Sequence, residues 1–383
     1  MKIATVVFTY NRSKHTKQVL NGLKQNTILP EKLFIFQDGL KRQEHKKEWI
    51  KVNELIHKIN WCDTKIIVSA FNKGLSASII SGINEVFKSY DAAIILEDDC
   101  VPAANFICFM NQCFEKYKDN KKVYSISGYS WPIELAKKQY DIYGCGRISS
   151  WGWGTWKDRW MIYEKDYEII KKMKQSKELS QNLARWGNDL EDTLVGNVRG
   201  ICDSWAVFWA LNVILKQGIC INPYQSLIKN IGMDGTGVHC GISDEFEVEY
   251  TNEKKDKFYL PDELYFYSET LTAFASLYGS YTALSEDTDN KKRALVYGVG
   301  NFYLVNEKFI NQEYYIEKFV DIHKKGYFEG KEIIRPDEIY NVQFEKLIIM
   351  LRDKNISMDI YNRIINEYHI PEDKVELGLL KYK

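Results

Sequence analysis

Three consecutive carboxylic acids end an apolar run near residue 100. In the stretch AAIILEDDCVP (92–102), Glu97, Asp98 and Asp99 follow five apolar residues, and Pro102 prevents the strand from continuing. Adjacent carboxylates repel one another, and a bound cation relieves that repulsion. A hard divalent ion held by one or two carboxylates keeps open positions for substrate phosphates. The residues therefore favour a Mg²⁺ or Mn²⁺ site for a diphosphate; the alternative is a solvated turn or a helix cap.

The elements that must position these acids alternate between strand and helix. Apolar residues from Leu75 to Phe87 recur at helical spacing and predict a crossover helix. The alternation predicts an α/β fold with a mostly parallel sheet and helices on both faces. In such a sheet ligands bind beyond the carboxyl ends of the strands, and the three acids lie at such an end. The predicted strands are Ile3–Phe8, Leu33–Gln37, Ile66–Val68, Ala92–Leu96 and Val123–Ser127.

Other predicted strand ends carry polar groups that suit a nucleotide. The first strand ends in FTYNR, the second ends in FQDG, and the loop NKGLSAS opens the crossover helix. The first and third segments supply hydrogen-bond donors, and the aspartate of the second can accept a hydrogen bond from a base or a ribose hydroxyl. Each segment alone is compatible with simple turn chemistry, but together they place polar groups on one rim of the sheet. The side chains that we expect to bind the nucleotide are Thr9, Asn11, Arg12, Asp38 and Lys73.

Length and composition limit the classes of protein. A chain of 383 residues with 45% hydrophobic residues can fill more than one core, so two globular units are expected. Lys plus Arg equals Asp plus Glu at 52 each, which excludes a global field that attracts nucleic acid. The first apolar run is too short for a secretion signal or a membrane span, so we expect a cytoplasmic protein without a transmembrane segment, at most peripheral at the inner membrane. The eight cysteines form no CxxC pair and are expected to be reduced thiols rather than zinc ligands.

The acidic stretch ILEDDCVP resembles the metal motif of the GT-A glycosyltransferases, which take a sugar from a nucleotide-sugar donor. The EDD form after an apolar strand is most similar to the branch that contains N-acetylglucosaminyltransferase I. The resemblance covers residues 1–245 in order. It implies that Asp99 binds Mn²⁺ or Mg²⁺ directly, and that Glu97 and Asp98 hold the donor sugar or support the metal ligand.

Two downstream segments are similar to the acceptor side of that branch. They are VYSISGYSW (123–131) and RISSWGWGTW (147–156). Aromatic faces pack on the C–H surfaces of sugars, so the resemblance implies that Trp151, Trp153 and Trp156 form acceptor-side walls. The alternative is that these rings are core residues and that the intervening glycines only permit a tight bend.

The segment CDSWAVFW (202–209) resembles the family segment that supplies a catalytic aspartate. The resemblance implies that Asp203 takes the proton of the acceptor hydroxyl in an inverting transfer. Cys202 and Ser204 stand where the family has a tryptophan and a second acid, which weakens the match. A competing source of the base is NDLEDT, which also fits an exposed acidic helix face and contains Asp189, Glu191 and Asp192.

The stretch NPYQSLIKNIGMDGTGVHCG (222–241) resembles the donor-side loop that folds over the nucleotide. Its glycines allow closure, and backbone N–H groups there can meet phosphate oxygens. A closed lid excludes water and so suppresses hydrolysis of the donor. His239 is expected to reach the diphosphate or the metal.

The polar stretch LSEDTDNKK (284–292) predicts a linker between a domain at 1–283, which includes an aromatic helical tail at 258–283, and a domain at 293–383. In the second domain, RALVYGVGN, EYYIEKFVDI and FEKLIIML predict three strands. The region resembles small Rossmann-like modules appended to bacterial carbohydrate enzymes, in which a start such as RPDEI follows the second strand. The G-x-G turn lacks a third glycine, which favours a structural role or homo-oligomer assembly over NAD binding.

The resemblance implies a metal-dependent inverting glycosyltransferase. It would move a hexose or N-acetylhexosamine from a nucleotide-diphospho-sugar, with a UDP-sugar favoured, to a glycan or glycolipid acceptor. A composition rich in Lys, Asn and Ile is typical of an AT-rich bacterium and points to surface polysaccharide or lipooligosaccharide synthesis. One alternative is a sugar nucleotidyltransferase, which would have a glycine-rich loop where this chain has TYNRSKH. Another is a non-catalytic nucleotide-sugar-binding scaffold.

Overall fold

The computed structural model describes residues 1–135, 140–235, 246–264, 268–278, 291–328 and 331–378. The chain forms two compact units, Met1–Tyr281 and Thr282–Lys383. The predicted α/β fold class is confirmed, because the first unit contains a large, mostly parallel sheet covered by helices, and the second unit contains a smaller one. Of the predicted linker, residues 284–290 lie outside the described part of the chain, and Lys292 already begins a strand.

The first unit contains ten strands and ten helices within its described residues. All five predicted strands and the crossover helix are present. The strands are β1 (Ile3–Thr9), β2 (Leu33–Gln37), β3 (Thr64–Val68), β4 (Ala92–Glu97), β5 (Cys100–Pro102), β6 (Val123–Ser127), β7 (Ile142–Cys145), β8 (Trp153–Trp156), β9 (Ile219–Pro223) and β10 (Ile228–Asn230). The helices are α1 (Ser13–Lys24), α2 (Lys46–Ile56), α3 (Leu75–Val86), α4 (Phe106–Tyr117), α5 (Lys157–Trp160), α6 (Ile169–Gln175), α7 (Lys177–Ala184), α8 (Asp189–Val198), α9 (Trp205–Leu215) and α10 (Ser268–Tyr278).

The main sheet has the strand order β3-β2-β1-β4-β8-β6-β9-β7. Strands β8 and β7 run antiparallel to their neighbours, and the other six strands are parallel to one another. The chain leaves β1 toward β2 on one side and later returns to β4 on the other side. The crevice at the carboxyl ends of β1 and β4 is therefore the topological switch point, where open α/β sheets bind ligands. Phe8 pairs with Glu97 there, so the segments after these two strands start side by side.

Both faces of the sheet are buried, which explains why its strands read as continuous apolar runs. Val6 and Phe8 pack in the core that contains α3 and α9. Val7 packs in the opposite core with α1 and α4. At Gly82 in α3, an added Cβ would lie 2.6 Å from the Phe8 ring, so glycine permits the close approach of this helix to β1.

A second, two-stranded sheet lies directly after the acids. Strand β5 pairs antiparallel with β10, and Cys100 faces Asn230. The Ile231 N–H donates to the Asp99 carbonyl at 2.9 Å. The pairing therefore brings the segment after β10 against the acidic motif.

The second unit is a six-stranded sheet with the order β13-β14-β12-β11-β15-β16, parallel except for β13. Strands β11, β12 and β15 correspond to the three predicted strands. Gly298 adopts a φ of 104°, and an added Cβ would approach the Met350 carbonyl oxygen to 2.8 Å, so the glycine turn packs closely on the end of β15. The elements are β11 (Lys292–Tyr297), α11 (Asn301–Glu313), β12 (Tyr314–Val320), β13 (Gly326–Phe328), β14 (Lys331–Ile334), a 3₁₀ helix (Pro336–Asn341), β15 (Lys346–Ile349), α12 (Lys354–Asn366) and β16 (Val375–Leu377).

Candidate functional site

A buried ion-pair cluster lies at the switch point. Arg12 follows β1, and its Nη2 donates to Asp99 Oδ2 at 2.8 Å and also to Asp98 Oδ1. Its Nη1 is buried and has no acceptor among the described residues. Burial by itself lowers the pKa of Arg12, but the charges of Asp98 and Asp99 outweigh this effect and raise the pKa above its ordinary value. Arg12 therefore supplies the positive charge that relieves the repulsion between the acids.

The first two acids have raised pKa values. Burial raises the pKa of Glu97 to about 8, and the charges of Asp99 and Asp98 add to the effect. Burial also raises the pKa of Asp98 to about 6, against the opposing charge of Arg12. At neutral pH Glu97 is therefore mostly protonated and can donate a hydrogen bond, whereas Asp98 is mostly ionised.

The surroundings of Asp99 fit a hard divalent cation. The Asp99 side chain is 16% exposed, and an added Cβ at Gly232 would lie 2.2 Å from its Oδ2, so glycine permits the segment after β10 to approach that oxygen closely. No group of three or more His, Cys, Asp or Glu side chains in the described ranges is arranged to hold a metal ion. Magnesium-type sites use one or two carboxylates and complete the shell with water and phosphates. Asp99, with Asp98 beside it, matches that donor set.

Asp38 connects two loops at the carboxyl ends of the strands. Its carboxylate accepts hydrogen bonds from the Gly39 N–H at 2.9 Å, Asn72 Nδ2 at 2.9 Å, the Lys73 N–H at 2.9 Å and the Gly74 N–H at 3.0 Å. These protein donors use the carboxylate lone pairs. Asp38 therefore fixes the loop after β2 to the loop before α3, and a base or ribose hydroxyl would have to share its oxygens. The ammonium group of Lys73 points away from Asp38 toward the Ser81 hydroxyl, 3.4 Å away.

Thr9 and Asn11 lie in the turn that carries Arg12. The buried Thr9 hydroxyl is 3.0 Å from the Thr16 hydroxyl, which in turn donates to the Arg12 carbonyl. Thr9 therefore anchors the first turn of α1 to the end of β1. Asn11 is half-buried in this turn.

His15 joins the site, although the sequence pattern did not predict it. Its Nε2 lies 3.2 Å from the Ile231 carbonyl oxygen and 3.1 Å from Asp234 Oδ2. The contact ties α1 to the start of the predicted donor-side loop. Its partners lie more than 200 residues later in the chain, so no local pattern reveals it. His239, which was predicted to reach the diphosphate, lies outside the described residues.

Two of the three tryptophans predicted as acceptor-side walls are core residues. Trp153 is fully buried and stacks on Trp205 at 5.1 Å, and Trp156 is 2% exposed and packs edge-on against Phe114 at 5.0 Å. Strand β8 is an interior strand of a sheet covered on both faces, so its side chains point into the two cores. The structure thus corrects the prediction for these two rings. Trp151 precedes the strand and is half-buried.

The candidate bases differ in their surroundings. Asp203 lies just before α9, is 62% exposed and accepts a hydrogen bond from Lys165 Nζ at 2.8 Å. Asp189 instead forms a bidentate ion pair with the buried Arg147, with N–O distances of 2.9 and 2.5 Å. The Asp189 carboxylate is therefore committed to a structural pair. Glu191 and Asp192 lie in the first turn of α8.

No protein-family model matches the chain, and no curated protein matches it. Among solved structures, Staphylococcus aureus TarS aligns at 10% identity and a TM-score of 0.36, over 61% of this chain and 37% of TarS. The mannosyltransferase PcManGT from Pyrobaculum calidifontis, in complex with GDP-Man and Mn²⁺, aligns at 9% identity and a TM-score of 0.27, over 44% of this chain and 46% of that chain. A cytidylyltransferase from Leptospira borgpetersenii aligns at 11% identity and a TM-score of 0.27, over 46% and 73%.

The chain thus spans less than half the length of the first two of these proteins. At such low similarity the alignments assign no activity, and the residues of the site must carry the functional argument. In the described part of the chain, no helix is long and apolar enough to cross a membrane. Fold and site together define an α/β protein with a charged, cation-compatible centre at the switch point of its main sheet.

Proposed function

We propose that this protein is a metal-dependent inverting glycosyltransferase that uses a nucleotide-diphospho-sugar donor. One observation carries the proposal, namely that Arg12, Asp98 and Asp99 meet between the carboxyl ends of β1 and β4. Ligands of open α/β sheets bind at this position. A guanidinium group suits phosphate oxygens, and carboxylates suit a hard cation. A diphosphate with its metal ion needs both kinds of group.

The residues around the cluster divide these tasks. Asp99, with Asp98 beside it, would hold Mn²⁺ or Mg²⁺, and the bound ion would neutralise charge that develops on the departing diphosphate. The Nη1 of Arg12, which has no acceptor in the described part of the chain, would bind a phosphate oxygen. Lys73 would contact the phosphates once its ammonium leaves the Ser81 hydroxyl, 3.4 Å away, and His239 is a further candidate for the phosphates. Glu97, protonated at neutral pH, can donate to an oxygen of the donor sugar.

Asp203 is the proposed base. Its carboxylate would accept the proton of the acceptor hydroxyl while that oxygen forms a bond to C1 of the sugar. The bond between C1 and the diphosphate oxygen breaks, and the nucleoside diphosphate leaves with the bonding electrons. Attack from the face opposite the leaving group inverts the configuration at C1. The Lys165 ammonium at 2.8 Å orients the Asp203 carboxylate.

The proposed substrates rest on the resemblance to the GT-A glycosyltransferases, and the proposed setting rests on the composition of the chain. A hexose or N-acetylhexosamine would be transferred, with a UDP-sugar as the favoured donor and a glycan or glycolipid as the acceptor. Cytoplasmic synthesis of bacterial surface polysaccharide or lipooligosaccharide is the proposed setting.

A donor screen tests this function. The melting temperature is measured with UDP-, GDP-, CMP- and dTDP-sugars, with and without Mn²⁺, for the wild type and Asp99→Asn. We expect one nucleotide class to stabilise the wild type only with metal, because ligand binding to the native state raises its stability by mass action. The variant should lose this effect. The absence of a shift with every donor would overturn the proposal.

Product analysis then separates the enzyme classes. A glycosyltransferase releases a nucleoside diphosphate together with a new glycoside. A sugar nucleotidyltransferase instead releases pyrophosphate from a nucleoside triphosphate and a sugar phosphate. A non-catalytic scaffold binds the donor without turnover.

A further inference from the structure

Five aromatic side chains of the first unit contact one another in a closed circle. Tyr129 lies 5.7 Å from Trp131 between ring centres, and Trp131 lies 6.1 Å from Tyr278. Tyr278 lies 6.3 Å from Phe246, Phe246 lies 5.9 Å from Trp151, and Trp151 lies 4.6 Å from Tyr129. We call these residues the five-ring cluster. They come from four separate parts of the chain, so the fold assembles the cluster rather than a local motif.

The cluster is not simply a piece of the core. Tyr129 is buried and forms its base, and its hydroxyl donates to the Phe246 carbonyl at 2.9 Å. The other four rings are half-buried, so each presents part of its surface to solvent. Partly exposed aromatic rings that contact one another are a typical lining of ligand-binding sites.

The five-ring cluster lies at the same end of the main sheet as the acids. Trp131 follows β6, and Trp151 comes just before β8. Strand β8 lies between β4 and β6, with Trp153 paired to Ile95. Trp151, two residues before Trp153 on an antiparallel strand, is thus carried toward the end of β4 where the acids begin. A ligand on the cluster would lie beside a donor bound at the switch point.

The positive charge that contacts the cluster belongs to Arg147 and is already balanced by a carboxylate. The Arg147 guanidinium lies 4.0 Å from the Tyr278 ring centre and 4.9 Å from that of Trp131. Its two Nη atoms donate to the carboxylate of Asp189 and to the Trp186 carbonyl. Arg147 is therefore a positioning residue for the rings, and an anionic ligand would find no free positive charge on it.

One polar group of the five-ring cluster is unmatched. The Trp131 indole N–H is buried and has no acceptor in the ranges that the structure describes. Apolar ring faces combined with this buried donor suit a neutral pyranose, whose C–H faces pack on aromatic rings and whose hydroxyls accept hydrogen bonds.

We propose that the five-ring cluster binds a neutral pyranose unit of the acceptor. Its role in catalysis rests on the proposed function, but the binding itself does not. The cluster would hold the acceptor sugar beside the acids so that its hydroxyl can attack the donor.

Saturation-transfer NMR on the full chain tests the binding directly. The probes are methyl β-glucopyranoside, methyl β-galactopyranoside and methyl N-acetyl-β-glucosaminide, with methyl β-glucuronide as the charged counterpart. We expect saturation transfer to at least one neutral probe, with a signal at least fivefold weaker for the glucuronide. The signal should be lost in Trp131→Ala and in Phe246→Ala and kept in Tyr259→Ala, which removes an exposed aromatic ring outside the cluster. Trp131→Phe, which keeps the packing but removes the N–H, should weaken the signal without unfolding the protein.

Two results would overturn the inference. One is unchanged saturation transfer in folded Trp131→Ala and Phe246→Ala, and the other is binding of the charged probe alone. In a transfer assay, the same two variants should raise the acceptor KM at least tenfold while the donor Kd stays within twofold. If the wild type transfers sugar and the variants keep the wild-type acceptor KM, the inference fails and the proposed function stands. If the wild type binds pyranosides at the cluster but neither binds nor uses any nucleotide sugar, the proposed function fails alone.

Discussion

Arg12 Nη2 lies 2.8 Å from the Asp99 carboxylate and so joins the turn after β1 to the turn after β4. The same nitrogen also contacts Asp98. Positive charge is thus built into the acidic motif before any ligand binds. A bound diphosphate would compete with the carboxylates for Arg12, and a metal ion would take over part of its charge-balancing role.

Removal of the Arg12 charge should destabilise the protein at alkaline pH. Arg12→Met leaves two partly buried carboxylates without a counter-charge, and we expect the free energy of unfolding at pH 8 to fall by about 2 kcal/mol. The loss should shrink at pH 5, because Asp98, with a pKa of about 6, then takes up a proton. Urea denaturation at both pH values measures the effect, with Arg12→Lys as the charge-conserving control. Equal losses at pH 8 and pH 5 would contradict the charge-balancing role.

Glu97 should make stability depend on pH. Its pKa is about 8 in the folded protein and about 4.3 in an unfolded chain. The folded state therefore retains a proton that the unfolded state releases, so this contribution is fully present below pH 4.3 and is lost as the pH rises through 8. Without added metal, Glu97→Gln should flatten the fall in unfolding free energy between pH 5 and pH 8.5, because glutamine stays neutral throughout. Parallel pH profiles for wild type and variant would refute this account.

Gly232 should be essential for the position of the Asp99 carboxylate but not for the fold. An added Cβ would lie 2.2 Å from Asp99 Oδ2, so Gly232→Ala must displace either the loop or the carboxylate. We expect the metal-dependent donor shift in melting temperature to disappear while the protein remains folded. Gly300→Ala is the matched control, since no described atom lies within 4 Å of its added Cβ. Donor binding by Gly232→Ala at wild-type affinity would show that the role of Asp99 does not depend on its close contact with Gly232.

Asp203 and Asp189 should respond differently to the same substitution. Asp203→Asn removes the proposed base and should lower kcat by about 10²–10⁴-fold without loss of stability, since its carboxylate is exposed. Asp189→Asn breaks the pair with buried Arg147 and should cost about 2 kcal/mol of stability, with kcat at saturating acceptor nearly unchanged. Steady-state kinetics and urea denaturation on both variants distinguish the catalytic role of Asp203 from the structural role of Asp189. Near-normal kcat in Asp203→Asn would move the role of base to the acids of α8.

The sequence predicted the parts of the fold that depend on local pattern. The parallel strands and α3 were predictable because buried strands are continuous apolar runs and α3 has one apolar face. The insertion of β8 between β4 and β6 was not, because the pairing partners of an antiparallel strand are remote in sequence. For that reason the sequence leaves open whether Trp153 and Trp156 are acceptor-side walls or core residues.

The same distinction holds at the candidate site. Arg12 and the acids were each recognisable from their place at a strand end. Their direct contact, and the contact of His15 with Ile231, join distant segments that only the folded topology brings together.

The pairing of β5 with β10 also determines when the site can form during synthesis. Arg12 precedes the acids in the chain, so it can neutralise them as soon as β4 pairs with β1. The neighbours of Asp99 on its other side, Ile231 and Gly232, leave the ribosome much later, because domains are made from the N-terminus onward. A chain that ends before β10 therefore has the residues that balance the charge of the acids but lacks the contacts of Ile231 and Gly232 with Asp99. Those contacts form only when β10 pairs with β5.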